Sequence, residues 1–399
     1  MVQGLTLVER GRRVCAKVGA RRIYVIAREE DRAGLAAWDR DRGDAAIVVV
    51  EAGAQVIHKP LLEPLLAGTR ARRIATGPSG APAGAVYAGD TDAAAVVAAL
   101  GAPGATVASI AWADAEAIVH GDIAVHPATT PAERTAAGHM LQRLNIKTED
   151  NPVTKHCYRP LSRPLTQLLI HTPFTPNQIS FAVGVLGVFG CWLTAQAGQA
   201  ALIWGAAIIF FAGVLDGCDG EIARLKLVYS PIGAWIDTVV DEITTTGYFI
   251  GIALHTYRHH PESWIGHSIW VGTLAYVATI YAIYYYCIVV AKVGGSQFYE
   301  GTLEVAEGPT GIGLRAKKRS GKIQSRFVRE VGAWLMYVKT RDFINLAALG
   351  LTFVDAYWVI YLGMLIGGVI TAVIVVRDHI VLRVQLGEVA RRGGTPHLV

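Results

Sequence analysis

Residues 216–242 read DGCDGEIARLKLVYSPIGAWIDTVVDE, four aspartates set in some of the most apolar sequence of the chain. Charge is costly in hydrocarbon, and acids inside a membrane segment are rare unless they serve a site or a partner. Asp216 and Asp219, three apart, share a face of one helix, and Asp237 and Asp241, four apart, share a face of the next. Ser230 and Pro231 supply a cap and a first turn for that second helix. The spacing therefore predicts two antiparallel helices that aim four carboxylates at one spot.

The flanks say where this hairpin lives. Up to about Pro176 the sequence is mixed; from Asn177 to Val376 long apolar runs alternate with short polar breaks. About 20 apolar residues cross the roughly 30 Å of hydrocarbon in a bilayer. The expected fold is an α-helical integral membrane domain with six transmembrane helices, preceded by a soluble α/β domain. The spans fall at 178–197, 201–227, 232–254 and 267–291. A hairpin over 343–376 follows, turned at its only charge, Asp355, into two short crossings. Within 1–140, IYVIA and AAIVVVEA read as buried strands, while TDAAAVVAALG and PAERTAAGHMLQRL read as helices. Residues 141–176 form an interfacial amphipathic segment, in which 155–171 lie at the membrane surface with basic side chains reaching headgroups. The membrane domain covers 177–380, and 381–399 form a tail.

Loop charge orients the bundle. The loop from Lys292 to Arg341 carries ten Lys or Arg, and the 2–3 connection and the tail are also basic. The positive side faces the cytoplasm, so the reading is a multi-pass protein of the inner or plasma membrane with both termini cytoplasmic. The net charge of +5 belongs to these loops, and a lipid bilayer, with no nucleic acid, is the expected partner. The N-terminal stretch MVQGLTLVERGRRVCAKVGARR lacks the apolar core of a secretory signal. The cysteines at 15, 157, 191, 218 and 287 show no CxxC spacing, which argues against a zinc site or a disulfide framework.

Four clustered carboxylates repel one another and need cations to stay ionised. Oxygen-only ligands favour Mg²⁺, Mn²⁺ or Ca²⁺. Two such ions about 4 Å apart suit displacement at phosphorus. Gly220, Ala223 and Gly233 leave room for a ligand near the backbone, and Arg224 offers a fork for phosphate. A cation-coupled transporter is the rival, since such proteins also carry intramembrane acids; here, however, all four acids sit on one hairpin and none continues across the bilayer. A membrane-anchored nucleotide-binding scaffold is the third reading.

The pattern D-x2-D-G-x2-A-R-x8-G-x3-D-x3-D, filled at every fixed position, resembles the signature of the CDP-alcohol phosphotransferases, and the resemblance extends over about 147–376. It implies transfer of a substituted phosphate from a CDP-linked donor, CDP-diacylglycerol or CDP-inositol, to an alcohol acceptor, with release of CMP. It implies Mg²⁺ or Mn²⁺, two ions, and a homodimer. Asp216, Asp219 and Asp237 are implied as metal ligands, and Asp241 as ligand and base. Gly220, Ala223 and Gly233 are implied on the cytidine side, and Arg224 as the residue that orients the region or the phosphates. Asn177 either contacts the donor or caps its helix. KTEDNPVTKHCYRPLSRPLTQLLIHTPFTPNQIS, DGCDGEIARLK and TRDFINL resemble the inositol-using branch, which includes di-myo-inositol-phosphate-phosphate synthases and phosphatidylinositol-phosphate synthases. That branch implies an inositol phosphate acceptor, for which Arg341, Lys292, Lys155 and Arg159 are the candidate contacts. The N-terminal domain resembles a sugar-phosphate nucleotidyltransferase without the LxAGxGxR loop and its following Lys, and is expected to be catalytically degenerate. For the KKRSGKIQSR core of the 294–341 loop, lipid binding, closure over the site and plain solvation stay open.

Overall fold

A computed structural model describes residues 1–399 except 111–113, 122–123, 146–149, 294, 309–310, 318–339, 396 and 399. All of KKRSGKIQSR except Lys317 therefore lies outside the described residues. The chain forms two compact units: Met1–Thr148 with Ala223–Val228, and Glu149–Ile222 with Tyr229–Val399.

In the first unit, four strands of the described residues form one sheet in the order β1-β3-β2-β4, where β1 is Ile47–Val50, β2 Arg72–Thr76, β3 Pro82–Ala88 and β4 Glu116–Val119. β3 pairs antiparallel with both neighbours and β2 pairs parallel with β4, so the sheet is mixed. Helices α1 (Leu7–Lys17), α2 (Leu35–Arg42), α3 (Lys59–Ala67), α4 (Asp90–Leu100) and α5 (Pro131–Leu144) accompany it. Two side chains explain where α5 begins: Thr130 caps Glu133 N–H while Glu133 reaches back to Thr130 N–H, a reciprocal cap that satisfies two orphan donors. IYVIA is not a strand. Tyr24 and Ile26 pack against the cluster around Leu35, Ile47 and Val97, and the amides of Ala27 and Arg28 donate to the Asp31 carboxylate instead of a ladder. Apolar character drove burial there without β pairing.

The short piece 223–228 also belongs to this unit. Buried Arg10 donates to Leu225 O at 2.9 Å and Arg13 to Lys226 O at 2.7 Å. Burial, with Arg13 beside it, pushes the Arg10 guanidinium down to about 10, still well above neutrality. Leu227 sits at φ 56° and packs against the core built on Leu61, Leu62 and Leu65.

The second unit opens with a π turn at Thr154–Tyr158 and α6 (Arg159–Leu169). There follow α7 (Pro176–Thr194), α8 (Gln199–Leu225), α9 (Pro231–His259), α10 (Ser263–Tyr285), α11 (Arg341–Phe353) and α12 (Tyr357–Arg391). Among the described residues, four helices are long and apolar enough to cross a membrane: Pro176–Thr194, Gln199–Leu225, Ser263–Ala291 and Tyr357–Arg391. α9 has 29 residues but carries Asp237, Asp241 and Glu242. α11 has 13 residues, about 20 Å of helix, short of the hydrocarbon thickness. The turn falls at Asp355, which takes a left-handed φ of 55°, a conformation Asp tolerates better than most residues. The last helix is not short: its 35 residues run to Arg391, because nothing after Val376 breaks it, and so 381–391 are helix.

Large apolar side chains such as Phe181, Trp204, Trp270 and Val373 cover the outside of this bundle, a surface suited to lipid rather than water. Without a hydrophobic drive between helices in lipid, small residues let backbones approach. A Cβ on Gly187 would meet Thr244 Cγ2 at once, and one on Gly251 would lie 2.7 Å from Cys191 O, so α7 and α9 pack backbone to backbone. The 294–341 loop also contains structure: β5 (Leu303–Gly308) and β6 (Gly311–Ala316) form a hairpin whose Leu303 and Leu314 pack with Leu382 and Val389 of α12.

Gly251→Ala is expected to destabilise the bundle by about 1–3 kcal/mol through overpacking. Gly350→Ala, at a glycine with open space around it, should leave the melting temperature in detergent unchanged or slightly raised.

Candidate active site

α8 carries Asp216 and Asp219 and α9 carries Asp237 and Asp241, and three of these four acids cluster. Asp216, Asp219 and Asp237 come together, each offering a carboxylate oxygen within 4.8 Å of the others. Asp219 is buried and accepts a hydrogen bond from Ser180 Oγ on α7. Arg341, the first residue of α11, bridges Asp216 and the fourth acid: its Nη2 lies 2.6 Å from Asp216 Oδ2, and its Nη1 pairs with Asp241 Oδ1. Asp241 thus joins the cluster through a guanidinium. Behind Asp216 and Arg341 a small cavity runs inward past Thr244, Asn345 and Tyr248.

Among the donor-side candidates, Asn177 and Gly233 are neighbours at the starts of α7 and α9, and a Cβ on Gly233 would lie 3.3 Å from Asn177 Oδ1. Ser230 caps α9 by accepting from Gly233 N–H at 3.0 Å, as its place before Pro231 predicts. Thr175, not Asn177, caps α7. Gly220 lies on α8 one residue beyond Asp219, and Ala223 and Arg224 continue that helix. Arg224 Nε donates to Asn145 Oδ1 at 2.5 Å within the first unit.

The four basic candidates separate. Arg341 is at the carboxylates. Arg159 is buried, donating to Asp150 Oδ2 at 2.7 Å and to Glu221 Oε1 at 2.5 Å. Burial pulls its basicity down, and the bond to Asp150 with the charge of Glu221 more than reverses this, leaving it above its ordinary value. Lys155 and Lys292 are exposed. α6 is amphipathic in the opposite sense from the expectation for Arg159: Arg159, Ser162 and Thr166 face inward while Leu161 and Leu168 are exposed. Sequence reasoning passed over Ser180, Ser162 and Thr166. Ser180 is a hydroxyl in an apolar helix, and Ser162 and Thr166, four apart, share a face of α6, each needing a partner once buried.

The donor set fits a hard divalent cation: carboxylate oxygens only, gathered closely, with one of them oriented by a hydroxyl.

Residues 174–365 match the family model for CDP-alcohol phosphatidyltransferase. Over that stretch, just under half of the chain, the sequence is similar to the domain of that family. The stretch contains the aspartate cluster and Arg341. A bifunctional IPC transferase and DIPP synthase of Rubrobacter xylanophilus is 36% identical over 148 residues, 36% of this chain and 33% of that protein. A protein of the same name from Thermococcus kodakarensis is 30% identical over 133 residues, 33% of this chain and 29% of its own length. A phosphatidylinositol phosphate synthase of Mycolicibacterium smegmatis is 29% identical over 100 residues, 25% of this chain and 44% of that protein. The chain thus spans about a third of the length of the first two relatives.

Removing the hydroxyl that orients Asp219, by Ser180→Ala, is expected to weaken Mn²⁺ binding about 10-fold, the lower end for loss of a ligand's supporting hydrogen bond. Electron paramagnetic resonance titration of the full-length protein measures this without turnover.

Proposed function

We propose that the protein transfers a substituted phosphate from a CDP-linked donor to the hydroxyl of an alcohol, with an inositol phosphate as the acceptor class, and releases CMP. The carrying observation is the convergence of Asp216, Asp219 and Asp237 within 4.8 Å, with Asp241 and Arg341 beside them. The name of one relative, phosphatidylinositol phosphate synthase, supports the acceptor class. Six membrane crossings, a two-ion site, both termini on the cytoplasmic side and a homodimer complete the reading. For the first unit, a scaffold, an oligomerisation surface and a nucleotide sensor stay open.

In this reading Asp216, Asp219 and Asp237 would hold Mg²⁺ or Mn²⁺, which would neutralise the donor diphosphate and stabilise charge on the departing nucleotide. Asp241 takes the proton of the acceptor hydroxyl. The acceptor oxygen then forms a bond to the phosphorus distal to cytidine. The bond from that phosphorus to the bridging oxygen breaks, and CMP leaves with the electron pair. Arg341 answers negative charge on the carboxylates and on an incoming phosphate. Gly220, Ala223, Gly233 and Asn177 flank the cytidine, and Arg224 orients the signature segment.

Incubation of the full-length protein with CDP-diacylglycerol or CDP-inositol and a panel of alcohols, read by mass spectrometry, tests the reaction. Asp241→Asn is expected to lower CMP release by about 10²–10⁴, the range for loss of a general base, with an unchanged melting temperature. Near-normal turnover in that variant rejects the role of Asp241, and donor-independent ion flux in proteoliposomes without CMP rejects the transferase.

A further inference from the structure

On α8 the acids do not all face the same way. Asp219 and Glu221 are two apart, about 200° around a helix, so Glu221 turns away from the carboxylate cluster. It is buried and its oxygens are taken up by one helix: Arg159 Nη1 at 2.5 Å and Ser162 Oγ at 3.1 Å on Oε1, and Thr166 Oγ1 at 2.6 Å on Oε2. The inward polar face of α6 is thus built around a single carboxylate of the signature helix. Cys218 Sγ adds a contact to Ser162 O at 3.4 Å.

The turn that leads into α6 makes a second attachment. Thr154 Oγ1 donates to the Asp342 carboxylate, and Tyr158 Oη donates to Asp342 O at 3.1 Å. Asp342 follows Arg341, whose guanidinium bridges Asp216 and Asp241. One segment, 154–166, therefore holds α8 just beyond the acids and α11 just beyond the arginine that answers them.

We propose that this segment is a brace that sets Arg341 against the aspartates, and that Glu221 is its anchor, a positioning residue rather than a ligand. The inference rests on the transferase reading for its effect on rate and on geometry alone for its effect on α11. Replacing a whole buried ion pair by apolar groups is often neutral, whereas removing one partner is costly. Here the charge joins α8 to α6, and the turn before α6 reaches α11 through Thr154 and Tyr158, so the segment ties together α8 and α11, which are separated by more than a hundred residues.

The charge arithmetic orders the variants. Asp150, Arg159 and Glu221 form a buried group with one positive and two negative members. Glu221→Gln leaves a balanced pair, whereas Arg159→Gln leaves two buried carboxylates without their cation and should be the less stable protein. The test is Glu221→Gln in full-length protein in nanodiscs, with Thr154→Val/Tyr158→Phe as the variant at the other attachment. Hydrogen exchange is read by mass spectrometry over 342–346, alongside Mn²⁺ affinity and CMP release.

Expected is exchange at least about 10-fold faster over 342–346 with α9 unchanged, as local opening predicts. The kcat should fall at least about 10-fold with the donor KM and Mn²⁺ affinity within about threefold, the signature of misplacement rather than lost binding. Unchanged exchange over 342–346 in both variants overturns the brace, as does a loss of Mn²⁺ affinity that accounts for the loss of rate. If Glu221→Gln does not fold, unchanged exchange in the double variant alone overturns it. Faster exchange in a protein whose wild type releases no CMP from either donor supports the brace and removes the transferase reading instead.

Discussion

Like charges gathered within 4.8 Å in an apolar bundle are the constraint around which the second unit is arranged. Each carboxylate needs an answer, from a cation, a guanidinium or a hydroxyl, because hydrocarbon supplies none. Ser180 answers Asp219, Arg341 answers Asp216 and Asp241, and the oxygen-only set itself suits a divalent ion. These partners lie on α7 and α11, so the demand for compensation recruits helices far apart in sequence to one end of the α8–α9 hairpin.

Close packing makes that recruitment possible. Gly187 and Gly251 bring α7 against α9, and α7 is the same helix whose Ser180 reaches Asp219 and whose Asn177 lies beside Gly233. A bulkier seam would separate the hydroxyl from the carboxylate it orients. The site is therefore held by backbone proximity as much as by charge, and the two depend on each other: small residues bring the polar groups together, and the polar contacts then fix the register of surfaces that have little other specificity in lipid.

Much of this was legible in the chain because it rests on local periodicity. The three- and four-residue spacings of the aspartates fixed their faces, Ser230-Pro231 marked the start of α9, and the lone charge of Asp355 marked the last turn. What was not legible depends on tertiary partners. Arg159 reads as one more basic residue at a membrane surface, and only its buried neighbours Asp150 and Glu221 turn it inward. IYVIA has the composition of a strand, yet among the described residues no ladder partner reaches it. Ser180 is one hydroxyl among apolar residues until Asp219 is placed opposite.

α12 has one consequence of its own. Its 35 residues measure roughly 52 Å along the axis, while hydrocarbon takes about 30 Å, so an upright helix would leave a third or more of its length clear of the lipid. The β5–β6 hairpin is fastened to that third through Leu382 and Val389. Hairpin and helix together are an outboard platform on a rigid mast, and any change in the mast's tilt displaces the platform by a distance proportional to its height above the headgroups.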